Sequence, residues 1–254
     1  MTRYLLPILV GAVLLGFWES YVSLADVPKF VLPAPSAIAT ALLSDVSGFA
    51  AATWATLRIT AFAFFWALVS GLTLAVIFSR ARAVEMAFYP YVVTLQVTPV
   101  VAIAPLILIW VGFDHVERAL VIIAWIVAFF PVLTNTVQGL KSIDPQLHDL
   151  MTLSRARWWQ RLAYLELPAA LPSILTGAKI SGGLALIGAV VAEFVAGSGT
   201  STGLAWRIIE AGNRLEIASM FAALFLLSVV GIVLFYTLSA IEWLCLRRWH
   251  ESFR

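Results

Sequence analysis

Six long apolar runs constrain the fold of this chain more than any other feature of its sequence. They lie at roughly 4–24, 57–79, 86–112, 116–138, 172–197 and 217–246. Each run is long enough to cross a hydrocarbon core of about 30 Å, which takes about 20 helical residues. Hydrophobic residues make up 62% of the 254 residues and charged residues only 12%, too few to cover a water-facing surface. We therefore predict an all-α integral membrane protein with six transmembrane helices.

Lysine and arginine residues are distributed unevenly between the two sides of this topology. With a cytoplasmic N-terminus, the inner side holds ten of them: Arg3, Arg80, Arg82, Lys141, Arg155, Arg157, Arg161, Arg247, Arg248 and Arg254. The outer side holds four: Lys29, Arg118, Arg207 and Arg214. Because cytoplasmic loops carry an excess of lysine and arginine, we expect both termini to be cytoplasmic.

Three prolines, Pro90, Pro99 and Pro105, interrupt the third apolar run. Each proline removes a backbone donor, and its ring clashes with the preceding turn. Such a break is tolerated at membrane depth only where neighbouring helices or water satisfy the freed carbonyls. We therefore expect a broken helix in the interior of the bundle.

The polar segment at 139–171 is expected to be folded. Asp144 and Pro145 form a helix-start signal, because an aspartate accepts from free amides and proline suits the first helical position. Arginines and tryptophans follow that helix, and the run from Leu167 to Pro172 is expected to start the fifth span. One interpretation is an interfacial helix with tryptophan at headgroup depth and arginine against anionic lipid. The other is a docking element for a cytoplasmic partner, since arginine and aromatic side chains anchor interfaces.

The residues of this segment carry a family resemblance. From Asp144 the sequence reads DPQLHDLMTLSRARWWQR, and from Leu165 to Gly177 it reads LELPAALPSILTG. This resembles the cytoplasmic "EAA" loop of ABC-importer permeases, which forms coupling helices that sit in a cleft of the ATPase subunit. Ser154 stands where the family usually has glycine. By this resemblance the ATPase-coupling residues are Asp149, Leu150, Ser154, Arg155, Arg157, Trp158 and Trp159.

Shorter pieces of the family pattern recur along the rest of the chain. They are Trp18-Glu19, Leu32-Pro33-Ala34-Pro35-Ser36-Ala37, the run 99–106 with Trp110-Val111-Gly112-Phe113, and Ala192-Glu193-Phe194. In this order they resemble the nitrate, sulfonate, taurine and pyrimidine-type branch of these permeases. The resemblance implies a type I ABC importer permease fold with cytoplasmic coupling helices in a bacterial inner membrane. It also implies three parts: an N-terminal transmembrane helix with its external loop at 1–56, a core permease domain at 57–246, and a cytoplasmic tail at 247–254.

The same resemblance implies a transport subunit and no enzyme activity in this chain. The sequence lacks a Gly-x-x-x-x-Gly-Lys-Ser/Thr phosphate loop, and its glycine-rich run at 197–203 has no lysine. We read that run as an external turn, and we expect no cofactor here, with ATP and magnesium bound by a partner. The implied partners are two ABC ATPase subunits, an external solute-binding protein, a second permease copy in a homodimer, and the lipid bilayer. A net charge of +2 gives no reason to expect nucleic acid.

Two other classes of protein compete with this interpretation. A secondary transporter driven by an ion gradient also uses broken helices and polar groups at the membrane midplane, but it leaves the 139–171 segment unexplained. An intramembrane enzyme needs a nucleophile with a base, or a metal site. His115, His148 and His250 lie in loops or the tail, and Cys245 is the lone cysteine, so we expect no catalytic residue and no metal site.

Polar residues inside the spans are candidates for the substrate pathway, since a charge at the bilayer centre costs about 2.5–3.5 kcal/mol. We predict that Gln96, Thr98, Asn135 and Glu193 line it, although hydrogen bonds or an ion pair between helices explain these residues equally well. Lys179 is expected to extend to the inner interface.

Two further expectations concern substrate and packing. Glycines at 177, 182, 183 and 188 predict close packing of the fifth span. The stretch from Gln96 to Pro105 looks closer to the pyrimidine and vitamin-precursor members than to the sulfonate, taurine or nitrate members.

Overall fold

The computed structural model describes residues 2–196 and 203–247, and these residues are almost entirely helical. The helices are α1 (Thr2–Leu24), α2 (Pro35–Ser44), α3 (Val46–Arg80), α4 (Arg82–Val97), α5 (Val100–Val111), α6 (Val116–Lys141), α7 (Pro145–Leu153), α8 (Trp158–Arg161), α9 (Leu167–Ala196), α10 (Leu204–Asn213) and α11 (Ile217–Leu246). A 3₁₀ turn at Phe113–His115 precedes α6, and a π-helical segment at Leu162–Glu166 joins α8 to α9. The predicted external turn, apart from Gly203, and the predicted tail, apart from Arg247, lie outside the described residues.

Five helical stretches in the described part of the chain are long and apolar enough to cross a membrane. They are Leu5–Leu24, Val46–Arg80, Phe113–Lys141, Trp158–Ala196 and Ile217–Leu246. Helices α4 and α5, bent by 101° at the break between them, supply the sixth span when they are counted as one. The prediction of an all-α membrane protein with six spans is therefore confirmed.

Helix α3 begins earlier than the predicted span at 57–79. Its 35 residues start at Val46, directly after Asp45, whose Oδ1 accepts the Gly48 amide at 3.0 Å. This bond satisfies one of the free amides at the helix start. The three alanines at 50–52 favour a helix. Helix α3 therefore extends into the region predicted as an external loop.

The run from Leu167 to Pro172 starts α9, as the sequence predicts for the fifth span. Helix α8 and the π-helical segment precede α9 without a break, so a continuous helical stretch runs from Trp158 to Ala196. Pro168 is the second residue of α9, immediately after the π-helical segment, where the Leu167 amide bonds the Leu162 carbonyl. This i to i−5 turn is wider than an α turn and gives the prolyl ring room against the preceding turn.

The chain groups into two compact units. One comprises Met1–Thr56 and Gly197–Val230, and the other comprises Leu57–Ala196 and Gly231–Arg254. In the first unit, α2 begins at Pro35 with Ala34 as its N-cap, so Ser36 lies inside the helix and does not cap it. Ser36 instead donates to Glu19 of α1, from its amide at 3.0 Å and from its hydroxyl at 2.7 Å.

Helices α6 and α9 form the centre of the second unit, with α5 packed against both. Their buried alanines are Ala119, Ala124 and Ala128 of α6, and Ala185, Ala189 and Ala192 of α9. A Cβ added at Gly188 would lie 2.8 Å from the Ala124 Cα, and one at Gly177 would lie 2.8 Å from the Pro131 carbonyl oxygen. Ser181 of α9 also donates to the Ala128 carbonyl at 2.6 Å. The close packing predicted from the glycines is confirmed at Gly177 and Gly188.

The third span breaks at Pro99 and not at its other prolines. Thr98 ends α4 in an extended conformation, as expected for a residue before proline, and Pro99 is the N-cap of α5. Helix α5 buries Ala104, Ile107 and Leu108, whereas α4 has no buried residue. The expected interior position therefore holds for α5 alone.

Candidate functional site

The segment at 144–166, called the coupling segment below, begins as the sequence predicts. Asp144 is the N-cap of α7, its Oδ1 accepts the Gln146 amide at 2.8 Å, and Pro145 is the first helical residue. Large apolar side chains of this segment are uncovered. Their exposed fractions run from 43% for Leu147 to 82% for Leu153, with Trp158 at 64%. Apolar surface of this size is covered either by lipid or by a protein partner.

The turn after α7 is a Schellman motif. The Ala156 amide donates to the Met151 carbonyl and the Arg155 amide donates to the Thr152 carbonyl, each at 3.0 Å. Arg155 has a φ of 52° and occupies the left-handed position, whereas Ser154 has a φ of −75°. The serine that replaces the usual glycine therefore adopts an ordinary conformation, and the arginine after it carries the strained one.

Helix α8 begins with its own side-chain cap. Arg157 is the N-cap, and Oε1 of Gln160 accepts the Arg157 amide at 2.8 Å. The two tryptophans at the start of α8, Trp158 and Trp159, are both exposed. The predicted coupling residues thus all lie within 149–159, from α7 to the start of α8. The first two, Asp149 and Leu150, are exposed on α7.

A bidentate ion pair ties the end of the coupling segment to α3, and the sequence did not reveal it. Nη1 of Arg80 donates to Oε1 of Glu166 at 3.1 Å, and Nη2 of the same arginine donates to Oε2. Glu166 is the last residue of the π-helical segment and is only 5% exposed. The available signal was a single carboxylate in the apolar run 165–172, a position that requires a partner.

Among the described residues, three further ion pairs join helices of the second unit, one of them between Arg58 of α3 and Glu117 of α6. Nζ of Lys141 at the end of α6 lies 2.5 Å from Oε1 of Glu85 in α4. Nζ of Lys179 lies 2.5 Å from Oε2 of Glu242 in α11. Glu242 lies near the end of α11, so Lys179 has a carboxylate partner on a neighbouring helix, and its extension to the inner interface stays a prediction.

The four predicted pathway residues lie at the end of α4, in α6 and in α9. Gln96 is exposed, two residues before the bend between α4 and α5. The Thr98 hydroxyl bonds the Thr94 carbonyl at 2.7 Å, and the Asn135 amide bonds the Pro131 carbonyl at 2.9 Å, both within their own helices. Glu193 is fully buried in α9. Of the four, Gln96 presents its side chain at an accessible surface.

Polar contacts in the first unit centre on Arg207 of α10. Its guanidinium bonds Asp45 and lies over the Phe49 ring, 4.9 Å from the centroid. The hydrogen bond from Arg207 lowers the pKa of Asp45, and the Gly48 amide lowers it further. The sequence predicted only the side of the membrane for Arg207, because the pair joins residues far apart in the chain.

Comparisons with known proteins extend this picture. The family described as "Binding-protein-dependent transport system inner membrane component" matches residues 67–242. The riboflavin transport system permease protein of Chloroflexus aurantiacus is 35% identical over 241 residues, covering 94% of this chain and 88% of the relative. The formylaminopyrimidine transport permease protein of Halalkalibacterium halodurans is 33% identical over 238 residues, covering 93% and 92%. A solved structure of the MetNI methionine ABC transporter, from a study of its inward-facing conformations, matches with a TM-score of 0.66 at 18% identity, covering 78% of this chain and 95% of that chain.

The fold is that of a type I ABC importer permease, as the resemblance implied. The family match covers more than half of the chain, and the relatives match over nearly all of it. The chain therefore belongs to the inner-membrane components of binding-protein-dependent transport systems. It is a multi-pass membrane protein and the permease component of an ABC importer, a transport subunit rather than an enzyme.

Proposed function

We propose that this permease forms, as a homodimer, the translocation pathway of an ATP-driven importer. Two ATPase subunits bind its coupling segment, and an external solute-binding protein delivers the solute. ATP and magnesium are bound by the ATPase subunits. The observation that carries the proposal is the exposed coupling segment, which offers large aliphatic and aromatic side chains on short, well-capped helices.

Several features of the coupling segment suit it to docking. Its two helices are fixed by side-chain caps, so little conformational entropy is lost when a partner binds. Trp158 and Arg155 belong to the residue types that dominate binding energy at interfaces. The Arg80–Glu166 pair joins the end of the segment to α3, so a displacement of the segment is passed to a membrane-spanning helix.

The docking proposal is tested by the affinity of the purified permease for its cognate ATPase. We expect Trp158→Ala with Trp159→Ala to weaken association at least 30-fold, since a truncated hot-spot residue costs about 2 kcal/mol or more. Trp110→Ala is the matched control, because Trp110 is 78% exposed but lies at the end of α5. Unchanged association of the double variant, or equal loss in the control, contradicts the proposal.

Among the predicted pathway residues, we propose Gln96 as the one that contacts solute, with Thr98, Asn135 and Glu193 supporting the wall. Gln96 is exposed close to the 101° bend, where the chain departs from a continuous helix. Gln96→Leu should leave ATPase association unchanged and lower uptake into proteoliposomes. Uptake at the wild-type rate would remove Gln96 from the pathway.

For the substrate we propose a planar heteroaromatic solute such as a pyrimidine or a vitamin precursor. Two relatives at 33% and 35% identity are named for transport of formylaminopyrimidine and riboflavin. Sulfonate, taurine and nitrate are the competing classes. Binding of each compound to the cognate solute-binding protein, measured by calorimetry, decides between them; binding of taurine or nitrate alone would overturn the heteroaromatic class.

We propose further that both termini are cytoplasmic. Cys245, the lone cysteine, is exposed near the end of α11 and serves as a natural probe. A membrane-impermeant thiol reagent should label it in inverted vesicles and not in right-side-out vesicles. The reverse pattern contradicts the orientation.

A further inference from the structure

A cavity of about 630 Å³ lies in the second unit between the ends of three membrane-spanning helices and the coupling segment. Part of its wall is apolar, formed by Phe78 of α3, Met86 of α4 and Leu140 of α6. The rest is mixed: Arg82, Lys141 and His148 line it together with the carboxylates Glu85 and Glu166. A cavity with one apolar and one charged wall suits an amphipathic ligand.

The charges around the cavity leave one positive charge unmatched. Glu85 is neutralised by Lys141, and Glu166 is neutralised by Arg80. Arg82 has no ion-pair partner among residues 2–196 and 203–247, although its side chain lines the same cavity. Leaving His148 aside, the lining holds Arg82 and Lys141 with Glu85 and Glu166, and Arg80 pairs with Glu166 from outside the lining. Three cations therefore accompany two carboxylates, and a ligand with a single negative charge completes the balance.

The cavity also lies at the ends of helices that are long and apolar enough to cross a membrane, a position that suits a lipid headgroup. Arg80 is the last residue of α3 and Lys141 is the last residue of α6, and both helices are long enough to span the hydrocarbon core. Arg82, Met86 and Tyr89 recur at helical spacing, so one face of α4 presents a cation, an apolar side chain and a phenol to the cavity.

From these features we propose that the cavity binds an anionic phospholipid, with the phosphodiester on Arg82 and the adjoining glycerol and acyl carbons against Phe78, Met86 and Leu140. A phosphodiester carries one negative charge, and arginine binds phosphate oxygens through two parallel hydrogen bonds. Basic pockets between transmembrane helices are known sites for such headgroups. Because His148 belongs to α7, the bound headgroup also touches the coupling segment.

This inference requires only that α3 and α6 span the membrane, so it stands apart from the proposals on ATPase docking and substrate. The acidic surface of a protein partner would match the charge of Arg82 but would leave the apolar wall uncovered. The lipid covers both walls, and we therefore commit to it.

The test uses the full chain in nanodiscs of phosphatidylcholine with or without phosphatidylglycerol. We expect phosphatidylglycerol to raise the thermal unfolding midpoint, and native mass spectrometry to detect bound phosphatidylglycerol. Arg82→Gln should reduce that bound fraction about tenfold, the effect of a loss of about 1.4 kcal/mol. Arg82→Lys keeps the charge and should retain more binding than Arg82→Gln.

The control is Lys29→Gln, because Lys29 is an exposed cation between α1 and α2 that does not line this cavity. This variant should keep the wild-type response to phosphatidylglycerol. Equal responses of wild type and Arg82→Gln, or equal loss in the control, overturn the proposal. If glycerol phosphate in phosphatidylcholine nanodiscs reproduces the stabilisation, a soluble phosphate ester and not a lipid is the ligand. If Arg82→Gln loses only ATPase binding, the cavity belongs to a protein interface.

Discussion

The α6–α9 pair and the coupling segment belong to the same unit but handle apolar residues in opposite ways. In the helix pair, small side chains meet closely: Ala124, Ala128, Ala185 and Ala189 are fully buried. In the coupling segment, large apolar side chains such as Leu153 and Trp158 are exposed. The pair covers its own apolar surface, whereas the described part of the chain leaves the large side chains of the coupling segment uncovered.

This difference shows where the stability of the permease resides and where its interactions lie. Apolar residues facing lipid gain nothing by packing against one another, so helix association in a membrane depends on close backbone approach and hydrogen bonds. The α6–α9 contact has both, through Gly188 and Ser181. Substitutions there should disturb the fold, and substitutions of exposed residues in the coupling segment should disturb association.

The largest effect is expected at the closest approach of α6 and α9. Gly188→Val would place a Cβ 2.8 Å from the Ala124 Cα, and backbone atoms cannot yield as a flexible side chain can. We expect a loss of about 3 kcal/mol in the free energy of unfolding, at the upper end of typical overpacking costs. Thermal or denaturant unfolding of the detergent-solubilised protein measures it.

Gly183 provides the control in the same helix. A Cβ added there meets nothing within 4 Å, so Gly183→Ala should be neutral or stabilise by up to about 1 kcal/mol through helix propensity. Equal destabilisation of both variants would show that α9 tolerates no substitution, and that the contact with α6 is not the cause.

An intermediate effect is expected at the end of the coupling segment, where Glu166 pairs with Arg80 of α3. Glu166→Gln leaves Arg80 without its carboxylate partner. Loss of one partner costs about 3–5 kcal/mol for a fully buried pair. Because the Arg80 side chain is 31% exposed, we expect about 2 kcal/mol here, measured by unfolding. ATP hydrolysis should also become less tightly coupled to uptake in proteoliposomes.

Glu85→Gln is the matched control for Glu166→Gln. It breaks the Lys141–Glu85 pair, in which Lys141 is 51% exposed, and should cost less than about 1 kcal/mol. Exchange of the charges, with Arg80→Glu and Glu166→Arg together, should recover part of the lost stability. If Glu85→Gln proves as damaging as Glu166→Gln, burial does not set the strength of these pairs.

Sequence reasoning succeeded where the signal is local. Apolar length located α11 at 217–246, and the dipeptide Asp144-Pro145 located the start of α7. It failed where distant residues decide the structure. The partners of Glu166 and Lys179 lie far away in the chain, so no periodicity reports them. The prolines also gave no sign that helical structure continues before α9. Pro168 fits into a continuous helix because a π-helical segment directly precedes it.

The candidate site shows the same contrast between local signals and contacts made by distant residues. The predicted coupling residues all lie within 149–159, so a local motif is enough to propose them, and the cap of α8 is supplied by its neighbour Gln160. The predicted pathway residues are separated in the chain, and intrahelical bonds occupy Thr98 and Asn135. Hydropathy and polarity identify such residues without indicating what they bond.

The smallest effect is expected inside the coupling segment, at the left-handed residue Arg155. A residue other than glycine in this conformation costs about 1–2 kcal/mol, and glycine gives back part of this as chain entropy. Arg155→Gly should therefore stabilise the turn by about 1 kcal/mol and slow hydrogen exchange of the amides in 150–156. Arg155→Ala removes the side chain but keeps the strain, so its exchange should not slow.

Comparison of these two variants separates the backbone of the turn from the side chain of Arg155. If the guanidinium contacts the ATPase, both variants should lose affinity for it equally, although only the glycine variant has a more stable turn. If Arg155→Ala binds the ATPase as well as wild type, the guanidinium makes no contact that matters, and any gain in Arg155→Gly comes from the backbone of the turn. If hydrogen exchange of the amides in 150–156 is equally slow in both variants, the strain lies at another residue. The exposed segment would then gain its fixed shape from its caps alone, as α7 does from Asp144.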